Sequence, residues 1–359
     1  MKEYDRWMEP PISFGMDPDK PGSDRTLHDQ GSRILLKLAA LSSPVPSWPD
    51  GPELKHIKVI PDTTSESEPT EPKPSIAHVL ADLHQARNDG AHISTINFIR
   101  DAPANHVPIE RVMESLLLSG DRHDVDVENV IQIGVLTIPA ASIGGINSFD
   151  LLPEPVKNCK ETAYERRKLD SKLVPCWGSC LVPIGAITGP HMDYCGCSQL
   201  MRHIYGRKLW LCWPPTPHNL DIYLRKHYWG AVTLPTEDAI DQLEGLELLL
   251  VDKEQTCFML PVGTIHAVVT LTMGCHTGLK LWRMEDFEVA KGMIKIQSEI
   301  MDQRVRLCQE TFKHYQKYFR DLKGELKKWD ELRRKNLANG MEIQQWLLDI
   351  EQALRRYLQ

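Results

Sequence analysis

The sequence predicts an α+β chain, with a multi-stranded antiparallel β core set between a helical lead-in and a helical C-terminal region. Three observations carry this. From about residue 130 to 283 the apolar runs are short, rich in Val, Ile, Leu, Trp and Thr, and separated by Pro and Gly. Ahead of them, "SIAHVLADLHQAR" puts Ile76, Val79, Leu80 and Leu83 on one helical face. Behind them, a long stretch without proline ends in Ile343, Trp346, Leu347, Ile350 and Leu354, a 3-and-4 spacing that makes one apolar stripe.

The elements follow in order. Residues 1–75 are rich in Pro, Ser, Asp and Glu. Stretches such as "PSWPDGPE" and "PDTTSESEPTEPKPS" bury too little apolar surface to offset the entropy of ordering, so a largely disordered segment is expected. One short helix within "RTLHDQGSRILLKLAAL" interrupts it. Residues 76–129 form a helical lead-in, whose second helix begins at Pro108, a residue suited to a first helical turn. A strand over Val130–Pro139 opens the β core of residues 130–283, as a barrel or a double sheet. Residues 284–359 are helical, with a break at Asn339-Gly340.

Composition narrows the function classes. The chain has 359 residues, 42% apolar, with net charge -7 and pI near 6.1. No global basic field draws it to nucleic acid, and no apolar run is long enough to span a membrane. Nine cysteines, an odd number, and an N-terminus without a basic-then-apolar pattern point to free thiols in a reducing intracellular compartment.

Chemistry concentrates in "TGPHMDYCGCSQLMRHIYGRKLW". On a strand, His191 and Asp193 point to the same face. His266, after the Pro-Gly turn of "MLPVGTIHAVV", is the third candidate ligand. Two histidines and one carboxylate on one face of an octahedron leave three positions open, which suits non-haem Fe(II) and dioxygen. The helical H-E-x-x-H of many zinc enzymes is absent. Lys208 lies in an otherwise apolar strand, where burial is costly without an anion. Thr188 lies three residues before His191. A cosubstrate with a distal carboxylate needs such a cation and hydroxyl.

Taken together, "TGPHMDYCGCSQLMRHIYGRKLWLCWPPTPHNLDIY" and "LPVGTIHAVV" resemble the Jumonji C (JmjC) family of Fe(II)- and 2-oxoglutarate-dependent oxygenases. The likeness covers roughly residues 175–283 and is nearest in style to the JmjC histone lysine demethylases. It implies a double-stranded β-helix (jelly-roll, cupin-like) core with flanking helices. It also implies Fe(II) on His191, Asp193 and His266, with the distal carboxylate of 2-oxoglutarate on Lys208 and Thr188. Dioxygen is the oxidant, succinate the coproduct, and hydroxylation of an N-methyl group the route to demethylated lysine. The alternatives within the resemblance are hydroxylation of a protein side chain and a catalytically weak scaffold that binds partners. The implied substrate is a protein, a histone tail among the candidates, and the implied compartment is the nucleus.

Two positions depart from the family pattern. Relatives often carry an aromatic hydroxyl near Met201 and a small or amide residue near Lys280. Methionine cannot donate the hydrogen bond that the hydroxyl makes to the cosubstrate. Lys280 either sits close to the metal or points away. Elsewhere, Cys176, Cys180, Cys195 and Cys197 with His203 suggest a zinc site or, in C-x3-C and C-x-C spacing, small buried thiols. His276 reads as a strand histidine outside the metal site. Trp210, Trp213 and Tyr205 suit a methylammonium cage or the sheet core. The basic C-terminal helices suit a solvated face or contact with nucleosomal phosphate, and their apolar stripe suits packing on the core or homodimerisation with a second copy.

Overall fold

Runs of residues that are buried on both faces become the strands of two antiparallel sheets. The computed structural model describes residues 196–229, 234–307, 312–335 and 340–353 continuously. It describes shorter stretches at 33–38, 40–41, 56–60, 75–88, 94–96 and between 135 and 193. The helix expected from Pro108 and the thiols Cys176 and Cys195 lie outside the described residues.

Twelve strands build the two sheets: β1 (Lys58–Ile60), β2 (Ser94–Ile96), β3 (Val135–Ala140), β4 (Thr162–Tyr164), β5 (Trp177–Val182), β6 (Ile187–His191), β7 (Ser198–Tyr205), β8 (Lys208–Trp213), β9 (Glu247–Val251), β10 (Cys257–Leu260), β11 (Ile265–Thr270) and β12 (Gly274–Arg283). The larger sheet runs β1-β10-β7-β12-β5-β3-β2, with β4 also on β12; the smaller runs β6-β11-β8-β9. From β6 to β8, and again from β9 to β12, each strand lies in the opposite sheet from the one before it.

The sequence of β8, "KLWLCW", explains the layering. All six residues are buried, and successive side chains take opposite faces. Trp210 and Cys212 enter the core between the sheets, with Met201, Phe258 and Leu260 of the larger sheet. Leu209, Leu211 and Trp213 enter the outer core. There they meet helix α2 (Pro217–Trp229) through Leu220 and Tyr223, and α3 (Thr236–Gln242) through Ala239 and Ile240. On the far side, α1 (Ile76–Asn88) packs Val79 on the outer face of the larger sheet beside Leu200, Ile204 and Leu279.

The C-terminal region forms α4 (Phe287–Leu307), α5 (Phe312–Lys335) and α6 (Gly340–Ala353). Its apolar stripe turns inward on the chain itself. Ile343, Trp346, Leu347 and Ile350 are buried, and Trp346 packs against Phe287 at 5.3 Å and Trp329 at 6.2 Å between ring centroids.

Within residues 1–75 the one expected helix is present: residues 33–38 are helical, with Ile34, Leu35 and Leu38 buried in the outer core, whereas the order at 56–60 was not expected. Lys37 Nζ donates to the Glu237 carbonyl at 2.9 Å. Lys58–Ile60 is a strand on β10. The carboxylate of Glu247 fastens it by accepting the backbone N–H groups of His56 at 2.8 Å and Ile57 at 3.0 Å. A three-residue strand is too short to show a period, so this order is set by a distant carboxylate. Likewise Ser94–Ile96, within the expected helical lead-in, is a strand on β3. The two C-terminal positions that would mark the helix break divide: Gly340 begins α6, and Asn339 lies outside the described residues.

Candidate active site

Three turns aim the functional side chains between the sheets. In the β7–β8 hairpin Gly206 has φ +85°, and a Cβ there would meet the Met273 carbonyl oxygen at 2.1 Å, so only glycine fits. This hairpin starts β8 at Lys208. Gly263, φ +74°, makes the turn before β11 and His266. The third device is a bulge in β6. Thr188 pairs with Val268 and His191 with His266, so three residues of β6 span two of β11. The extra residue returns both Thr188 and His191 to the inner face, which accounts for their odd spacing in the sequence.

His191, Asp193 and His266 come together. One ligand atom from each lies within 4.8 Å of the others, and among the described residues this is the one His/Cys/Asp/Glu group able to hold a metal ion. Asp193 corrects one expectation: β6 ends at His191, and Asp193 sits in the bend beyond it. His191 Nε2 is 3.4 Å from Asp193 Oδ1, and His266 Nε2 is 3.7 Å from Asp193 Oδ2. The other ring nitrogens are anchored: His191 Nδ1 donates to the Gly189 carbonyl at 2.8 Å and His266 Nδ1 to that of Thr264 at 3.3 Å. With each Nδ1 so tied, Nε2 of both rings faces Asp193 and is the nitrogen left for a metal, which would displace any proton held there. These residues therefore fit a divalent metal. Tyr223 on α2 holds the segment between the ligands, its hydroxyl accepting the Met192 N–H at 3.1 Å.

The charges agree with a cation site. Burial would raise the Asp193 carboxyl, but hydrogen bonding and charge from His191, with the charge of His266, hold it well below the usual carboxylate range. Burial lowers His191, yet Asp193 outweighs it and the net shift is upward. His266 is pushed down to about 4 by burial and the His191 charge. The metal end is open at one side: the side chains of His191 and Asp193 are 31% and 32% exposed, against 3% for His266.

Lys208 lies on the same inner face, opposite Thr270, four residues along β11 from His266. At about 3.3 Å per residue this separates the two backbone positions by roughly 13 Å. Lys208 is 0% exposed. Its Nζ lies 2.6 Å from His276 Nδ1, and among the described residues no carboxylate lies within ion-pair distance. Burial depresses its ammonium to about 8, and the effect of Cys180 and Cys275 in raising it is smaller. Burying an ammonium without a counter-charge is costly, and an anion beside it would offset that cost. Thr188 lies on the same face, across the intervening strand β11 and two residues along it, opposite Val268.

The larger sheet supplies the opposite wall. His276 opposes His203, Gly278 opposes Met201, and Lys280 opposes Gln199, all on one face of β12. Gln199 hydrogen-bonds to Asp193, so this register sets Lys280 on the inner face at the metal end. A Cβ on Gly278 would come within 3.0 Å of Met201 Sδ, so the thioether fills the wall midway. Sequence reasoning missed Gln199, Tyr223 and the pairing of His276 with Lys208.

The remaining expectations separate cleanly. Among the described residues Cys180, Cys197, Cys212, Cys257 and Cys275 form no disulfide, and His203 Nε2 donates to the Gly206 carbonyl at 2.7 Å. Trp210 and Trp213 lie on opposite faces of β8 and are both core, so they form no cage with Tyr205. Trp210 instead stacks on His266 at 5.8 Å. Among the described residues no helix is long and apolar enough to cross a membrane.

No family model matches the chain. Curated relatives do. It is 28% identical over 182 residues to the JmjC domain-containing histone demethylation protein 1 of Kluyveromyces lactis, covering 48% of this chain and 36% of that protein. It is 31% identical over 115 residues to the protein of the same name from Saccharomyces cerevisiae, covering 31% and 22%. For that of Candida glabrata the identity is 30% over 101 residues, covering 25% and 22%. The matches thus span about a third or less of these relatives' lengths. Together with the His-Asp-His group between two antiparallel sheets, these matches support the likeness to the JmjC domain family.

Proposed function

We propose that the protein is an Fe(II)- and 2-oxoglutarate-dependent dioxygenase acting on protein, and that its reaction is demethylation of a histone lysine by N-methyl hydroxylation. The observation that carries this is one inner face with a metal-competent triad at its open end and a buried, unneutralised lysine at its closed end. The relatives' printed name, histone demethylation protein, supports the substrate class and a nuclear location. The strand alternation between sheets supports reading residues 130–283 as a double-stranded β-helix, preceded by residues 1–75 and 76–129 and followed by a helical region of residues 284–359.

Fe(II), bound by His191, Asp193 and His266, supplies the redox chemistry that couples dioxygen reduction and oxidative decarboxylation of 2-oxoglutarate to hydroxylation of a C–H bond. The residues do the rest. Backbone carbonyls hold the two imidazoles in register, and Asp193 contributes the anion. Lys208 pairs with the distal carboxylate, and Thr188 donates its hydroxyl to it. The rim at His191 and Asp193, about a third exposed, admits the substrate side chain, while the buried core behind Trp210 excludes water. Hydroxylation of an N-methyl carbon gives a hemiaminal that breaks down to formaldehyde and the free amine.

The test is product analysis with methylated histone peptides under air. Stoichiometric succinate and formaldehyde, both lost in His191→Ala, are expected. Succinate with an oxygen atom retained on the peptide and no formaldehyde would make it a hydroxylase. No succinate from iron-loaded protein with any peptide would make it a scaffold.

A further inference from the structure

The lysine end of the inner face holds one feature that the metal triad and the lysine leave unused. His276 Nδ1 accepts a hydrogen bond from the Lys208 ammonium at 2.6 Å, which makes Nε2 the protonated nitrogen. That Nε2–H takes no part in the bond to Lys208. The ring is buried at 9% exposure and set edge-on against Trp210 at 5.3 Å. Met201, two residues along β7 from His203 towards Gln199 and the metal end, offers no donor. An ammonium has three N–H groups; one is used on His276 and two remain. A carboxylate has about four lone-pair sites and takes three donors well.

We propose that His276 is a specificity-determining residue for the cosubstrate, its Nε2–H donating to the distal carboxylate beside Lys208 in place of the hydroxyl that Met201 lacks. The inference rests on the 2-oxoglutarate reading above. His276 also keeps Lys208 turned inward: the Nδ1 lone pair fixes the ammonium, and the cross-strand register His203–His276 fixes the ring. The two residues reach the pocket from different sheets, so a dicarboxylate seated there bridges the sheets at the closed end.

The experiment is calorimetric binding to the Mn(II)-loaded full chain, with 2-oxoglutarate and with 2-oxobutyrate, which keeps the chelating group but lacks the distal carboxylate. Loss of one charge-assisted hydrogen bond is expected to raise the 2-oxoglutarate Kd of His276→Ala by about tenfold or more. His276→Gln, which returns an N–H near the Nε2 position, is expected within about threefold of the parent, and remains the reading variant if the alanine protein fails to fold. Mn(II) affinity and 2-oxobutyrate binding are expected unchanged in both. An unchanged 2-oxoglutarate Kd in His276→Ala, while Lys208→Ala binds weakly, overturns this inference and leaves the oxygenase reading standing. Equal weakening toward 2-oxobutyrate, or a glutamine variant as weak as alanine, also overturns it. A parent that binds Mn(II) but not 2-oxoglutarate overturns both.

Discussion

The two ends of the inner face are built on opposite electrostatic plans. At the metal end an anion, Asp193, faces two imidazoles whose far nitrogens are tied to backbone carbonyls, and a third of the His191 and Asp193 side-chain surface reaches solvent. At the lysine end an ammonium is wholly buried, with a neutral imidazole and thiols for company and no carboxylate among the described residues. The first end is complete once a cation arrives; the second is complete once an anion arrives. Under the proposed function, a ligand that chelates at one end and carries a carboxylate at the other would satisfy both and stabilise the fold by binding it.

Breaking the metal end has the largest effect. His191→Ala or Asp193→Ala is expected to abolish metal binding, read by Mn(II) titration, with the fold intact by circular dichroism. Unchanged titration would remove the triad from the account.

Lys208→Met sharpens the contrast, because function and stability move in opposite directions. Removing a charged group that carboxylate binding needs is expected to weaken 2-oxoglutarate by about a hundredfold. The ligand-free variant is expected to be more stable by about 1–3 kcal/mol, since an unneutralised buried charge is replaced by an apolar chain of similar length. Metal affinity is expected to stay the same. Thermal unfolding without cosubstrate checks it, and a less stable variant would contradict the buried-charge argument.

The pH dependence separates the ends further. Lys208 titrates at about 8 in the folded chain, below its ordinary value, because of burial. Between that pH and the unfolded value of 10.5 the unfolded chain holds a proton that the folded chain has lost, so this group makes stability rise with pH across the window. Binding of the carboxylate needs the charged form, so above pH 8 the 2-oxoglutarate Kd is expected to rise by about tenfold per pH unit. A flat profile from pH 7 to 9.5 would contradict this.

Tyr223→Phe is the mildest change. It removes the acceptor of the Met192 N–H, a loss of about 1 kcal/mol, and is expected to weaken Mn(II) binding by about fivefold with 2-oxobutyrate selectivity unaltered.

What could be read from the sequence follows the same division. His191, Asp193, His266 and Lys208 stood out because each is polar within an apolar strand or at its end, and local spacing ordered them. Thr188 needed the β6 bulge to make sense of its odd offset. Gln199, His276 and Tyr223 act across sheets or from a helix, through pairings fixed by register between segments tens of residues apart, so no local pattern announced them. The β core and the C-terminal apolar stripe were legible from periodicity. The strand Lys58–Ile60 was not, because its order comes from the Glu247 carboxylate and not from its own residues.

The most direct test of the central claim is anaerobic absorption spectroscopy of the Fe(II)-loaded protein with 2-oxoglutarate. A visible charge-transfer band is expected, absent in His191→Ala and requiring far more 2-oxoglutarate in Lys208→Ala. Iron-loaded parent protein with no band at saturating 2-oxoglutarate would contradict it.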